Sequence, residues 1–121
     1  MKAIRLIALA ACMAATLDAS AQEQEIRLFS HRGGRMEHDE NTLSAFQASY
    51  DAGYRGFETD IRMTRDGALV ITHDSSLERT TDGTGTVEEK TEAEIRQLAT
   101  KQGNKMMFLD ELLEFLKGKE G

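Results

Sequence analysis

The sequence predicts an α/β fold, and three observations carry that expectation. Two short apolar runs, Ile26 to Ser30 and Gly56 to Met63, flank a stretch with helical spacing. An Asp-Gly pair joins the second run to a third, and a leucine pattern of helical period lies near the end of the chain. Strand, helix, strand and further helices in this order describe an α/β arrangement whose later strands are expected beyond Gly121.

Ile26 to Ser30 precedes His31-Arg32-Gly33-Gly34 and reads as a strand ending in a glycine turn. From Asn41 to Ala52 the apolar residues Leu43, Phe46 and Tyr50 fall on one helical face, and Gly53 supplies the stop. Gly56 to Met63 is a second strand and Ala68 to Thr72 a third, with Asp66-Gly67 between them as a hairpin turn. Asp74 to Lys90 contains only Leu77 and Val87 among polar residues, and predicts a polar excursion over the surface. Thr91 and Glu94 form a capping box for a short helix through Leu98. Leu109, Leu112, Leu113 and Leu116 define a last helix, with Asp110 and Glu111 in the first turn, where the helix dipole favours negative charge.

Composition narrows the function classes. The chain has 121 residues, about half of what a complete (β/α)8 barrel of roughly 250 residues requires. Fifteen Lys+Arg against twenty-one Asp+Glu give a net charge of −6, and no two Lys or Arg residues are adjacent. No nucleic-acid surface is expected from that pattern. Cys12 is the single cysteine, which excludes intramolecular disulfides and cysteine-based zinc sites.

Residues 1–21 read as an export signal: Lys2 and Arg5, an apolar run from Leu6 to Leu17, then Ala19-Ser20-Ala21 as a cleavage site. The run is too short to span a membrane, so no stable insertion is expected after cleavage. The mature chain, residues 22–121, is then periplasmic or secreted. Reading Leu9-Ala10-Ala11-Cys12 as a lipobox would instead anchor it through Cys12.

The chemistry gathers at strand ends. Glu58 and Asp60 stand two apart in the second strand, and side-chain alternation points them the same way. If Asp66-Gly67 is a two-residue turn, Asp60 lies opposite His73 and an imidazole faces both carboxylates; a one-residue slip sends His73 to the other face. Adjacent carboxylates call for a shared proton, a basic partner such as Arg62, or a hard divalent cation, Mg²⁺ or Ca²⁺. His31 ends the first strand beside Arg32, whose forked guanidinium suits a phosphate. His38 has no such context and reads as a loop histidine.

Taken together, these segments resemble the glycerophosphodiester phosphodiesterase family. The resemblance rests on His31-Arg32-Gly33, Glu40-Asn41-Thr42 with Ala45-Phe46, Glu58-Thr59-Asp60, Thr64 with Asp66-Gly67, His73-Asp74, Leu77, Arg79-Thr80-Thr81, and Gly83 with Gly85. It extends from about Arg27 to Leu116 and implies a TIM barrel, of which this chain would be the N-terminal portion. It further implies His31 and His73 as general acid and base, Glu58 and Asp60 as ligands of a divalent metal, and Arg32 and Glu40 as substrate-binding residues. The polar excursion would begin the family's small insertion, about residues 74–98 here.

Two features depart from the family pattern. Asp39 and Met107 stand where the family usually has proline, and Asp39 is expected to cap the first helix in its place. The family's third metal ligand, a glutamate in an E-x-K segment on the next strand, has no counterpart before Gly121. The implied activity is metal-dependent hydrolysis of a small-molecule glycerophosphodiester to glycerol 3-phosphate and an alcohol, with the present chain expected to be inactive alone. The alternatives are a related barrel phospholipase, of the phosphatidylinositol-specific phospholipase C or sphingomyelinase D type, and a non-catalytic phosphate-binding fragment.

Overall fold

The computed structural model describes residues 25–120, so residues 1–21, expected to be an export signal, and Cys12 lie outside the described residues. Four short strands occur in chain order: β1 (Phe29–His31), β2 (Gly56–Glu58), β3 (Ile61–Met63) and β4 (Leu69–Ile71). Helix α1 (Leu43–Asp51) joins β1 to β2, and α2 (Glu92–Arg96) and α3 (Leu109–Leu116) follow β4. The fold is α/β, as expected. β1 and β2 pair in parallel, with α1 as the crossover, and β3 and β4 pair antiparallel.

The predicted first strand is shorter and later than expected. Its parallel partner begins at Gly56, opposite Phe29, so Ile26 and Leu28 find no ladder and stay exposed. The single run from Gly56 to Met63 is divided at Thr59 and Asp60 into two strands that belong to different sheets.

α1 forms where its periodicity places it and buries Ala45, Phe46 and Ser49. Its cap is Thr42 rather than Asp39: the Thr42 hydroxyl oxygen accepts from the Ala45 amide at 3.3 Å. Asp39 instead accepts at its carboxylate from the Asn104 amide at 2.9 Å, tying the loop before α1 to a segment 65 residues away. Gly33 packs against α1, and a Cβ there would stand 2.8 Å from the Ala45 Cβ, so only glycine fits this turn.

The hairpin between β3 and β4 has three loop residues, not two. Ala68 pairs with Thr64, the Thr64 amide donating to the Ala68 carbonyl at 2.8 Å, and Gly67 takes the left-handed conformation at φ 91°. Asp66 explains the longer turn. Its Oδ1 accepts from the Thr64 hydroxyl at 2.7 Å and from the Glu92 amide at 2.8 Å, so the loop is fastened to the start of α2. The consequence is a shift of one residue: Thr72, not His73, lies across from Asp60.

Side-chain alternation along β4 feeds two cores. Ile71 joins Phe46, Met107 and Leu112, with Phe57, Leu109, Phe115 and Leu116 packed around them. Val70 points the other way, to Leu77, Val87, Ile95, Met106 and Phe108. The stretch from Asp74 to Lys90 is therefore more than a solvated excursion, because its two apolar residues are anchors that are almost fully buried. The capping box of α2 is present, with the Thr91 amide donating to Glu94 at 2.7 Å. α3 begins with the Glu111 carboxylate accepting from the Phe108 amide at 2.8 Å.

Candidate active site

At the carboxyl end of β1, His31 stands directly beside Glu58 of β2, with Nε2 3.5 Å from Oε2. The pairing follows from the parallel register, which sets these two residues side by side and leaves both side chains about half exposed. Arg32 comes next, and its amide donates to the Glu58 carbonyl at 2.9 Å. Here the backbone turns left-handed, at φ 53°, a costly conformation for a residue with a side chain. The turn carries the Arg32 side chain inward, where it is buried.

Arg32 is held between two carboxylates. Its Nε lies 3.0 Å from Asp60 and its Nη1 3.4 Å from Glu40. The contact to Asp60 is ionic and not an aligned hydrogen bond, since the buried Nε has no acceptor in its donor direction. Asn41, also left-handed at φ 59°, is buried beside them; its amide group donates to Asp60 at 3.5 Å and its carbonyl accepts from Thr59 at 2.9 Å.

Glu40 is gripped a second time. Arg79, from the segment after β4, donates to it through Nη2 at 2.8 Å and Nη1 at 3.0 Å. The Arg79 Nε reaches Asp74 at 2.5 Å, and the other oxygen of Asp74 meets Nδ1 of His73 at 2.6 Å. The Arg79 guanidinium holds the Glu40 carboxyl below its ordinary range, and Arg79 followed by His73 does the same for Asp74. Glu40 and Asp74 in turn push the guanidinium up, so all three groups stay charged.

The structure thus brings together His31 with Glu58, and Arg32 with both Glu40 and Asp60. His73 belongs to a different cluster: its ring pairs with Asp74, and it makes no ion pair with Glu58 or Asp60. The expected arrangement of one imidazole facing both acids is therefore corrected, and the three-residue turn is the reason. Asn41, Asp74 and Arg79 lie in segments that carry the family resemblance, but their sequence context assigns them no role in the site. A signal was present for Asp74, adjacent to His73, but nothing in periodicity marks Arg79 as a partner of Glu40, 39 residues earlier.

Among the described residues no group of three His, Cys, Asp or Glu side chains is arranged to hold a metal. The large concavity, about 840 Å³, runs along Ile26, Leu28, Phe29 and Tyr54 and contains none of these charged site residues. A smaller one of about 390 Å³ includes His31. No helix among the described residues is long and apolar enough to cross a membrane.

Comparison with known proteins places this geometry in a family. The fold is similar to the crystal structure of glycerophosphodiester phosphodiesterase from Agrobacterium tumefaciens str. C58, at 34% identity and a TM-score of 0.75, covering 80% of this chain and 45% of that one. It is also similar to an Oleispira antarctica phosphodiesterase solved in complex with the product sn-glycerol-3-phosphate, at 32% identity and a TM-score of 0.71, over 75% of this chain and 40% of the other. A curated relative, the glycerophosphodiester phosphodiesterase of Caldanaerobacter subterraneus subsp. tengcongensis, is 41% identical over 71 residues, which are 59% of this chain and 29% of that protein. The chain thus spans less than half the length of these relatives. The family model for the glycerophosphoryl diester phosphodiesterase family matches residues 31–120, and the chain belongs to that family.

Proposed function

We propose that this chain contributes the phosphate-binding and proton-transfer groups of a metal-dependent glycerophosphodiester phosphodiesterase, with β1 and β2 as two neighbouring strands of an incomplete TIM barrel. The observation that carries the reading is the placement of His31, Arg32 and Glu58 together at the carboxyl ends of two parallel strands, where α/β enzymes collect their chemistry. The substrate class follows from the family and from the product bound by the Oleispira antarctica relative.

Charge supports a divalent cation. Among Glu40, Glu58, Asp60 and Asp74, the ion pairs to permanent cations are those with Arg32 and Arg79, with Arg35 adding only a weaker charge effect at Glu40, and a phosphodiester anion approaching that acidic set is repelled. The donors fit a hard cation in kind: both candidate ligands, Glu58 and Asp60, are carboxylates, and Glu58 has no arginine or lysine partner among the described residues. A Mg²⁺ or Ca²⁺ ion bound there supplies positive charge to a phosphoryl oxygen. Two protein ligands, one of them already paired with Arg32, hold an ion weakly, which is why residues 22–121 alone are expected to turn over poorly.

The other roles fall to the chain's own residues. Arg32, fixed by Glu40 and Asp60 on one side, orients a phosphoryl oxygen with its remaining donors. His31 and His73 divide proton removal from the nucleophile and proton delivery to the leaving alkoxide. Residues 1–21 are proposed to export the protein to the periplasm or beyond, which N-terminal sequencing of the exported form checks through a start at Gln22.

The decisive assay uses two proteins: the purified chain, and the Agrobacterium tumefaciens relative with its matching segment replaced by residues 31–120. Water-soluble glycerophosphodiesters are offered with Mg²⁺ or Ca²⁺, and intact phospholipids in parallel. The chimera is expected to release sn-glycerol 3-phosphate in a metal-dependent way, to lose this on His31→Ala, and to exceed the chain alone by about 100-fold or more. Turnover of phospholipid but not of the soluble diester, or a chimera indifferent to His31→Ala, would overturn the reading.

A further inference from the structure

Arg79 does not touch His31, Arg32 or the proposed metal ligands, yet it joins the two halves of the site. It binds Glu40, which is paired with Arg32, and it binds Asp74, which is paired with His73. Its three contacts, at 2.8, 3.0 and 2.5 Å, use Nη2, Nη1 and Nε, so the planar fork is committed to two carboxylates at once.

From this geometry we infer that Arg79 is a positioning residue for His73: by clamping Asp74 against Glu40, it holds the imidazole with the proton on Nδ1 and leaves Nε2 as the working nitrogen. The inference rests on the role proposed above for His73.

The chemistry of the contacts requires this assignment. A carboxylate can only accept, so the 2.6 Å approach of the Asp74 Oδ1 to the His73 Nδ1 needs hydrogen on that nitrogen. In a neutral ring the other nitrogen then carries the lone pair. An Asp74 free to rotate would not enforce one tautomer. Its second oxygen is occupied by the Arg79 Nε, and Arg79 cannot swing away without giving up both bonds to Glu40. The backbone of His73 is fixed separately, since its carbonyl accepts from the Arg62 Nε at 2.8 Å while Glu88 holds the far side of Arg62 at 2.9 Å. The charged groups around His73 are therefore Asp74, Arg79, Arg62 and, beyond Arg62, Glu88. The carboxylate of Asp74 supplies orientation in the way that the acid of a catalytic triad orients its histidine.

The test reads the tautomer without needing turnover. Long-range ¹H–¹⁵N correlation spectra of the labelled chain are recorded above the titration range of the imidazoles, with His31→Gln, His38→Gln and His73→Gln variants assigning the three rings. The expected result is His73 protonated on Nδ1, with the tautomer ratio shifting toward Nε2–H by about tenfold in Asp74→Ala and in Arg79→Met. Arg79→Lys keeps the charge without the fork and should fall between wild type and Arg79→Met; it also serves where Arg79→Met fails to fold. Arg65→Met, on the hairpin turn, removes one positive charge elsewhere and should leave the His73 ring unchanged. A wild-type His73 protonated on Nε2, or a ratio indifferent to both Arg79 variants, would overturn the assignment. Loss of the expected tautomer strikes at Arg79, whereas absence of glycerophosphodiester hydrolysis with the tautomer dependence intact strikes at the proposed reaction.

Discussion

Arg32 and Asp60 meet at 3.0 Å at the point where the sheet divides, and the arginine reaches that position only by adopting a left-handed backbone. In an extended conformation Arg32 would have continued β1, with its side chain standing out from one face of the sheet. The positive φ turns the guanidinium under the loop, between Asp60 and Glu40, and the Arg32 carbonyl then accepts from the Asn41 amide at 2.9 Å to close the loop. Strain at this residue is compensated by charge pairing in a buried position.

Removing that guanidinium leaves Asp60 without its arginine partner and Glu40 held by Arg79 alone. Arg32→Ala should lower stability by about 3 kcal/mol in urea unfolding. Arg32→Gly removes the same charge but relieves the left-handed backbone, and should be less destabilised than the alanine variant by about 1 kcal/mol. Equal losses in the two variants would mean that φ 53° carries no cost.

Stability should fall on the acid side because of Glu40 and Asp74. Both carboxyls titrate below their ordinary values of 4.5 and 3.8 when folded, Arg79 being the principal cause in each case. A depressed folded pKa contributes stability that is fully present above the unfolded value and is lost as pH falls through the folded one. Unfolding free energy is therefore expected to hold near neutral pH and decline below about pH 4.5. Arg79→Met should flatten that decline. An acid limb of unchanged slope in the variant would show that the clamp does not set it.

Leu77 anchors the segment after β4 in the same core as Val70 and Phe108. Leu77→Ala should cost about 3 kcal/mol. The two tyrosines, Tyr50 and Tyr54, lie in and just after α1, away from this core, and make convenient reporters of cooperativity. Their fluorescence should shift its urea midpoint together with far-ultraviolet circular dichroism. Tyrosine signals that ignore the substitution would mean that residues 74–98 unfold as a separate flap.

What the sequence determined alone was local. The spacing of Leu43, Phe46 and Tyr50 specified α1, Thr91 with Glu94 specified the cap of α2, and the leucines specified α3, because helix periodicity and capping act within a few residues. The sequence also placed His31 and Arg32 at the end of the first strand, but it read Glu58 and Asp60 as lying inside one strand, which the structure divides between them. Tertiary structure decided the register of the hairpin, since Asp66 reaches across to the Glu92 amide and makes the turn one residue longer. That single residue separated His73 from Asp60. It decided as well that Glu40, Arg79, Asp74 and His73 form one chain of contacts. Ion pairing between groups 39 residues apart depends on where the folded backbone delivers them, and no pattern of nearest neighbours encodes such a distance.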